Sequence, residues 1–156
     1  MGSVTIRPYV ARDRAAVLDL APRLAEGVAA WRDPEAVAAQ VVDWVRTSLD
    51  EHDTDGHLML VAMAESDDEL VGFASAVRRH HWSGSQDAYI GELVVGSGSE
   101  GLGVGRRLVE AVTQWAHDEG LSAVTLETGA ANARARGFYA ALGFAEEDVR
   151  LALPLT

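Results

Sequence analysis

The sequence predicts one α/β (α+β) domain over residues 1–156, in which helices flank a mixed central sheet. Segments with the 3.6-residue period of helices alternate with short apolar runs typical of strands. A chain of 156 residues has the length of a single domain, and no Pro/Gly-rich linker or internal repeat divides it. We therefore expect the element order β-α-α-β-β-β-α-β-α-β.

The first half is predicted to form a strand, two helices and a hairpin. Val4–Pro8 is a short strand that ends at its proline. Asp13 caps a first helix whose apolar positions continue to Val28, and Asp33 caps a second helix whose inner stripe ends at Leu49. An acidic turn then joins two strands that should pair antiparallel. These strands are His57–Ala64 and Leu70–Val77.

The second half is predicted to contain a strand–helix–strand crossover with parallel strands. Its strands are Ala88–Val95 and Ser122–Thr128, and its helix runs from Val104 to Ala116, with Gly120 closing it. A last helix and a last short strand complete the order. They are Asn132–Leu142 and Val149–Leu153.

The composition excludes several kinds of chemistry. All 13 basic side chains are arginine, 24 side chains are acidic, and the formal net charge is −11. Without lysine or cysteine the chain has no Schiff-base lysine, P-loop lysine, thiolate nucleophile or cysteine metal ligand. The histidines lack convincing metal spacing, so we expect no metal site. The acid excess disfavours nucleic acid and anionic membranes as partners.

No segment suggests a membrane location. The longest clean apolar run, Leu58–Ala64, is far too short to cross a bilayer. Charged residues, among them Arg7 and Arg12, interrupt the first twenty positions, so they do not form an apolar signal core. We expect a cytoplasmic protein.

A glycine-rich loop precedes the helix at Val104. It reads Glu100-Gly101-Leu102-Gly103-Val104-Gly105, followed by Arg106 and Arg107. Glycines allow close backbone approach, and the free N–H groups of a helix N-terminus bind anions. Two arginines there oppose the helix dipole, which an anionic ligand would offset. The alternative interpretation is a plain connection with solvated arginines.

Gly96-x-Gly98-x-x-Gly101 also matches the dinucleotide-binding fingerprint, with Glu127 as the ribose partner of an NAD(P)-binding, oxidoreductase-like domain. That fingerprint normally opens a doubly wound sheet, and too little chain follows it here. We therefore disfavour this alternative.

Two motifs in order indicate a family. The strand Glu92-Leu93-Val94-Val95 precedes the glycine loop, and a later segment reads Asn-Ala-Arg-Ala-Arg-Gly-Phe-Tyr-Ala-Ala-Leu-Gly-Phe over residues 132–144. Together they resemble the GNAT superfamily of acyl-CoA-dependent N-acyltransferases. The first half, from Ile6-Arg7-Pro8 through two helices to the hairpin, is similar to the family as well.

The resemblance implies acetyl-CoA (coenzyme A) as the cofactor. It implies that the loop amides hold the pyrophosphate and that the strand backbone binds the pantetheine, with the Val94 N–H polarising the thioester carbonyl. Asn132 would bind the cofactor arm or an ordered water, and a plain helix N-cap is its other interpretation. The implied cofactor-binding residues are Leu93, Val94, Val95, Gly101, Leu102, Gly103, Val104, Gly105, Arg106 and Asn132.

Acetyl transfer to an amine requires a base and an acid. Without cysteine or lysine, direct attack in a ternary complex is more natural than an acyl-enzyme. The resemblance implies that the Tyr139 phenol is the acid at the cofactor sulfur, although a core aromatic beside Phe138 is the alternative. Glu92, mid-strand in an apolar setting, and Glu127 are both candidate bases. We favour Glu92 slightly, and a purely structural role stays open for each.

The loop departs from the family pattern at Glu100, where Gln or Arg is usual, and an acid facing a pyrophosphate would repel it. Gly137 and the stretch 96–99 also differ, and they suggest a looser cofactor loop.

We expect the acceptor to be a primary amine on a small molecule or peptide, and the acid excess favours a cationic one. Six aromatic side chains could edge its pocket, although buried packing is the expected fate of most of them. They are Trp31, Trp44, His80, His81, Trp82 and Tyr89. A non-catalytic acyl-CoA sensor is the second alternative function. We allow for a homodimer, although no sequence pattern indicates the oligomeric state.

Overall fold

Five strands form one mixed sheet in the computed structural model, which describes residues 2–155. The spatial order is the chain order, β1 to β5; the first four strands are antiparallel, and β4 and β5 are parallel. This arrangement confirms the predicted hairpin and the predicted parallel crossover. The strands are β1 (Val4–Pro8), β2 (His57–Ala64), β3 (Glu69–His80), β4 (Gln86–Val95) and β5 (Val124–Leu126).

Helices cover both faces of the sheet. The face with Val61 and Phe73 packs on the first two helices, and the face with Ala74 and Ile90 packs on the third. The sheet therefore lies between two buried clusters, one on each face, as in a three-layer α/β domain. The helices are α1 (Arg14–Leu20), α2 (Pro34–Asp50), α3 (Val104–Asp118) and α4 (Ala133–Ala141).

The predicted first helix is shorter than expected. α1 ends at Leu20, and a 3₁₀ segment over Ala21–Ala25 replaces its continuation towards Val28. Pro22 explains the change, because a proline has no N–H for an α-helical hydrogen bond.

Asp13 lies at the start of α1, but its side chain makes no cap hydrogen bond to that helix. It accepts hydrogen bonds from the Arg7 guanidinium at 2.7 and 2.9 Å and from the Val10 N–H at 2.9 Å. The carboxylate is buried, and the Arg7 hydrogen bond holds its pKa below the usual range. Asp13 therefore ties β1 to the turn before α1.

The predicted last strand over Val149–Leu153 is wrong for the single chain. These residues are neither strand nor helix, and their large apolar side chains are exposed. A strand needs a neighbour for its backbone hydrogen bonds, and no described strand lies beside this segment. β5 is also shorter than its predicted span Ser122–Thr128. Among the described residues, no helix combines the length and apolarity needed to cross a membrane.

Candidate active site

A cavity opens where β4 and β5 separate. The two strands pair from Ala88 and Val124 to Ile90 and Leu126, and β4 then continues to Val95 without β5 beside it. The cavity there has a volume of about 550 Å³. Its walls come from β4, the start of α3, α4, and the segments on either side of the cavity mouth. A split sheet exposes backbone N–H and C=O groups to a ligand, because an edge strand leaves half of them unpaired.

The glycine loop forms one end of the cavity. Gly101 and Gly103 have φ of +76° and +80°, a left-handed backbone that favours glycine, and nothing lies within 4 Å of where their Cβ atoms would be. Gly103 is the N-cap of α3, so the first N–H groups of that helix lie at the cavity. This open cradle fits a pyrophosphate group.

The two arginines of the loop have different positions. Arg106 lines the cavity and is half exposed, with only a 3.9 Å contact to Glu110. Arg107 instead donates a hydrogen bond to the backbone oxygen of Val4 in β1. The expectation that both cations face the anion site is therefore wrong for Arg107, whose side chain ties α3 to the sheet.

Glu100 does not stand unpaired in the loop. Its carboxylate accepts hydrogen bonds from Arg23, in the 3₁₀ segment after α1, and from Arg134 of α4 at 2.7 Å. The Arg134 hydrogen bond is the largest cause that lowers the pKa of this carboxyl. The predicted repulsion of an anion is thus offset by two guanidinium groups, which also join three segments around the cavity.

A β-bulge at Gly91 determines where Glu92 points. Ser75 of β3 is opposite Glu92 and Ala76 is opposite Ile90, so Gly91 is an extra residue in β4. One extra residue reverses the alternation of side chains along a strand. Ile90 accordingly packs on the α3 face, whereas Glu92 reaches α2 on the other face.

Glu92 is a buried carboxyl with few partners. Its side chain is 5% exposed, and its two oxygens lie 2.9 and 3.1 Å from the Ser48 hydroxyl of α2. Burial raises the pKa of Glu92 to about 7, and the Ser48 hydrogen bond partly opposes that rise. A carboxyl with this pKa exchanges a proton near neutral pH. Gly91 and Leu93, rather than Glu92 itself, form the cavity wall.

Tyr139 lines the cavity from α4, between the rings of Phe138 and Phe144 at centroid distances of 5.1 and 5.5 Å. Burial raises the pKa of its phenol to about 12. The hydroxyl therefore keeps its proton at neutral pH and can donate it in a hydrogen bond.

Glu127 and Asn132 lie at the mouth of the cavity. Glu127 is 66% exposed, with a long 3.9 Å contact to Arg79. The Asn132 side chain accepts a hydrogen bond from the Ala135 N–H at 3.1 Å, so it caps α4. The N-cap interpretation is confirmed, and the same residue also lines the cavity.

Two loops close over this mouth. A Cβ at Gly129 would lie 2.2 Å from the backbone oxygen of Gly27, so the loop before α2 touches the loop before α4. Of the six aromatic residues expected around an acceptor, only Trp44 lines the cavity. The other five do not line it, and the buried packing expected for most of them is not found either, since all five are exposed or only partly buried. Trp82, for example, is 86% exposed in the β3–β4 turn.

The sequence matches a known protein family. The model of the Acetyltransferase (GNAT) family matches residues 25–144. The chain belongs to the GNAT acetyltransferase family. A GNAT domain accounts for the mixed sheet and the split between β4 and β5, and acetyl-CoA is the family's acetyl donor. Within residues 2–155, β4 and β5 form the only parallel pair, which does not fit the doubly wound parallel sheet of a dinucleotide-binding domain.

Two relatives share part of the sequence. The chain is 32% identical over 100 residues to aminoglycoside N(6')-acetyltransferase type 1 of Stenotrophomonas maltophilia, covering 62% of this chain and 64% of that protein. It is 33% identical over 89 residues to N-acetyltransferase 8F1 of Rattus norvegicus, covering 56% of this chain and 40% of that protein. The chain thus spans less than two thirds of either relative's length.

Solved structures share the fold over nearly the whole chain. A putative acetyl transferase from Pyrococcus furiosus superposes with a TM-score of 0.79 at 19% identity, covering 98% of this chain and 100% of that one. An aminoglycoside antibiotic 6'-N-acetyltransferase from Acinetobacter baumannii gives 0.74 at 19% identity, covering 99% of both chains. At these identities the similarity concerns the fold.

The cavity of this GNAT chain contains most residues that the sequence motifs indicated. All the candidate site residues line it except Glu92, which lies behind the wall, and Leu102, which is exposed on the outside of the loop. Sequence reasoning missed three contributors: Ser48, Arg23 and Arg134. Arg134 lies within the recognised α4 motif, whereas Ser48 and Arg23 are in segments that carry no motif.

Proposed function

We propose that this chain transfers the acetyl group of acetyl-CoA to a primary amine by direct attack in a ternary complex. One observation carries the proposal: a single cavity joins the glycine cradle, the free edge of β4 and the protonated Tyr139 phenol. The acetyl donor and the amine can therefore meet in one place, which removes the need for a covalent intermediate.

The proposed binding residues follow the cavity from end to end. The N–H groups from Gly101 to Gly105 and the Arg106 side chain would hold the pyrophosphate. The free backbone groups of Leu93, Val94 and Val95 would bind the pantetheine, and Asn132 would contact the cofactor arm. When bound, acetyl-CoA supplies an activated acetyl group as a thioester. The Val94 N–H would stabilise the charge that develops on its carbonyl oxygen.

We assign proton removal from the amine to Glu92, acting through water. Its pKa of about 7 suits a base at neutral pH, and the adjacent cavity residue Gly91 has no side chain to block a water. Glu127 is the alternative base, because it lines the cavity directly. Tyr139 is the proposed acid at the departing thiolate, because its hydroxyl is protonated and lines the cavity.

The acceptor is proposed to be a cationic amine of a small molecule or peptide. The net charge of −11 and the carboxylates of Glu26 and Glu127 at the cavity favour a cation. The aminoglycoside acetyltransferase among the relatives supports an amine of this kind. We further propose that residues 1–156 act as one domain, in the cytoplasm, as a homodimer.

The activity can be tested by measuring free CoA thiol release from acetyl-CoA across a panel of cationic and neutral amines. Tyr139→Phe should lower kcat by about 10²-fold or more, the range expected for loss of a positioned acid. The matched control is Tyr89→Phe, whose ring stacks under Arg79 outside the cavity. Thermal stabilisation by CoA without thiol release on any amine would instead indicate an acyl-CoA sensor. Stabilisation by NAD alone would overturn the proposal.

A further inference from the structure

Four charged side chains of alternating sign are joined beside the glycine loop. Arg23 has a 3.7 Å contact with Glu26 and donates a hydrogen bond to Glu100. Arg134 donates a second hydrogen bond to Glu100, at 2.7 Å to its other carboxylate oxygen. All four residues line the cavity, and they come from the 3₁₀ segment and the residue after it, the loop before α3, and α4. Two guanidinium groups from other parts of the chain therefore meet at the first residue of the glycine loop.

The two arginines are held to different degrees. Arg23 is 26% exposed and has two carboxylate partners, Glu26 and Glu100. Arg134 is 71% exposed, and its guanidinium makes no hydrogen bond within residues 2–155 except the one to Glu100. A guanidinium carries several N–H donors, so most of those of Arg134 are free for another acceptor. Because an exposed ion pair contributes little to stability, Arg134 can leave Glu100 at a small cost, whereas Arg23 stays in place.

An anion bound by the glycine loop would lie next to this ion pair. Glu100 directly precedes Gly101, where the proposed pyrophosphate site begins. A guanidinium held against Glu100 is therefore within a side-chain rotation of the phosphate oxygens. Each phosphate of a pyrophosphate group is charged, and a guanidinium can bind phosphate oxygens through two parallel hydrogen bonds. The carboxylate of Glu100 would keep Arg23 as its partner, so the exchange leaves no unpaired charge.

We propose that Arg134 is a further residue that binds the phosphates of the cofactor, and that Glu100 holds its guanidinium beside the glycine loop until the cofactor arrives. On binding, Arg134 exchanges the carboxylate for a phosphate oxygen, and Arg23 keeps the carboxylate paired. The exchange explains how the loop tolerates an acid at its first position, because Glu100 has a guanidinium partner both before and after binding. This inference rests on the proposed placement of the pyrophosphate at the glycine loop.

The exchange can be tested with a double-mutant cycle on the Kd of CoA, measured by isothermal titration calorimetry. Arg134→Gln should raise the Kd about tenfold, the effect expected from the loss of a charge-assisted hydrogen bond. Glu100→Gln should lower the Kd about threefold, because Arg134 then no longer has to leave a charged partner. For the same reason, Arg134→Gln should raise the Kd by a larger factor in the Glu100→Gln background than in wild type.

The cycle separates phosphate binding from simple neutralisation. If Arg134 only offsets the charge of Glu100, then Arg134→Gln weakens CoA binding in wild type but has no effect once Glu100 is Gln, and that result would overturn the proposal. A higher Kd in Glu100→Gln would also overturn it, because the ion pair would then serve to hold the loop in its binding shape. Arg136→Gln is the matched control, since Arg136 lies on the same helix, pairs with Glu146 and does not line the cavity; its Kd should equal that of wild type.

Steady-state kinetics give a readout that a disturbed α4 would change differently. This helix also carries Tyr139, so a general disturbance lowers kcat. Loss of a phosphate contact instead raises KM for acetyl-CoA while kcat stays within about twofold of wild type. A fall in kcat without a rise in KM would overturn the role of Arg134. A wild type that does not bind CoA would overturn both the exchange and the proposed function, whereas the expected cycle without thiol release on any amine would contradict the acetyl transfer alone.

Discussion

Replacing Ser48 with alanine should raise the pKa of Glu92 and make the enzyme require a higher pH. The Ser48 hydroxyl lies 2.9 and 3.1 Å from the two oxygens of that carboxylate, and it is the side-chain group that opposes the effect of burial. Alanine removes this hydrogen-bond donor, which stabilises the ionised carboxylate. The protonated form of Glu92 therefore becomes more favourable relative to the ionised form.

The size of the shift follows from the hydrogen bond. A hydrogen bond to a charged group contributes about 1.5 kcal/mol at the lower end of its usual range, and the lower end applies because Ser48 is only partly buried. Since 1.36 kcal/mol corresponds to one pKa unit, the pKa of Glu92 should rise by about one unit from its value of about 7. The ionised fraction at pH 6 then falls about tenfold, whereas at pH 9 it hardly changes.

The assay is the pH profile of kcat/KM, obtained from thiol release between about pH 5.5 and about pH 9.5. The acidic limb of Ser48→Ala should lie about one unit above that of wild type, with equal rates on the alkaline plateau. Ser48→Thr keeps the hydroxyl and should restore the limb. Thr47→Ala is the matched control, because the Thr47 hydroxyl bonds the Asp43 backbone oxygen within α2.

An unchanged acidic limb in Ser48→Ala would refute this reasoning, as would an equal shift in Thr47→Ala. If Glu92→Gln keeps the limb and Glu127→Gln abolishes it, the proton is removed by Glu127, and the assignment of the base is wrong.

Three further outcomes are expected. Folding favours the protonated form of Glu92 by about 3 kcal/mol, because its pKa rises from 4.5 to about 7. In urea titrations above pH 7, Glu92→Gln should therefore be more stable than wild type by up to that amount. Below pH 4.5, where the carboxyl is protonated in both the folded and the unfolded state, this advantage should disappear. Asp13→Asn should lower the free energy of unfolding by about 2 kcal/mol at pH 7, since it leaves Arg7 without its partner; this difference should shrink in urea titrations as acid protonates Asp13 through its lowered pKa. Gly129→Ala should force the two mouth loops apart and raise KM for the amine about tenfold, a cost near 1.4 kcal/mol, whereas Gly137→Ala, which has open space, should not.

Much of the fold could be predicted because the elements on the sheet carry strong local signals. Asp33 before Pro34 predicted the start of α2, and the structure has Asp33 accepting a hydrogen bond from the Glu35 N–H. Asn132 likewise predicted the start of α4. These predictions succeed because capping depends on residues only two or three positions apart.

Predictions failed where the deciding partner is distant in sequence. Asp13 has the right residue type for a helix cap, yet Arg7 and the Val10 N–H take its carboxylate. Val149–Leu153 has the pattern of a strand, yet pairing needs a neighbouring strand, and none of the five described strands pairs with it. Arg107 was placed at the anion site by its sequence neighbours, but it reaches β1.

The sequence alone determined the family, the glycine cradle and the identity of the two candidate bases, because these depend on residue types at short fixed spacings. It could not separate Glu92 from Glu127, since both are carboxylates on strands that were predicted to be neighbours. Only the tertiary structure gives the two carboxylates different surroundings. The bulge at Gly91 turns Glu92 against Ser48, 44 positions away, and burial there raises its pKa, while Glu127 stays exposed. The pKa of a carboxyl depends on its burial and on the hydrogen-bond donors and charges around it, and these are defined only when the sheet and helices pack together.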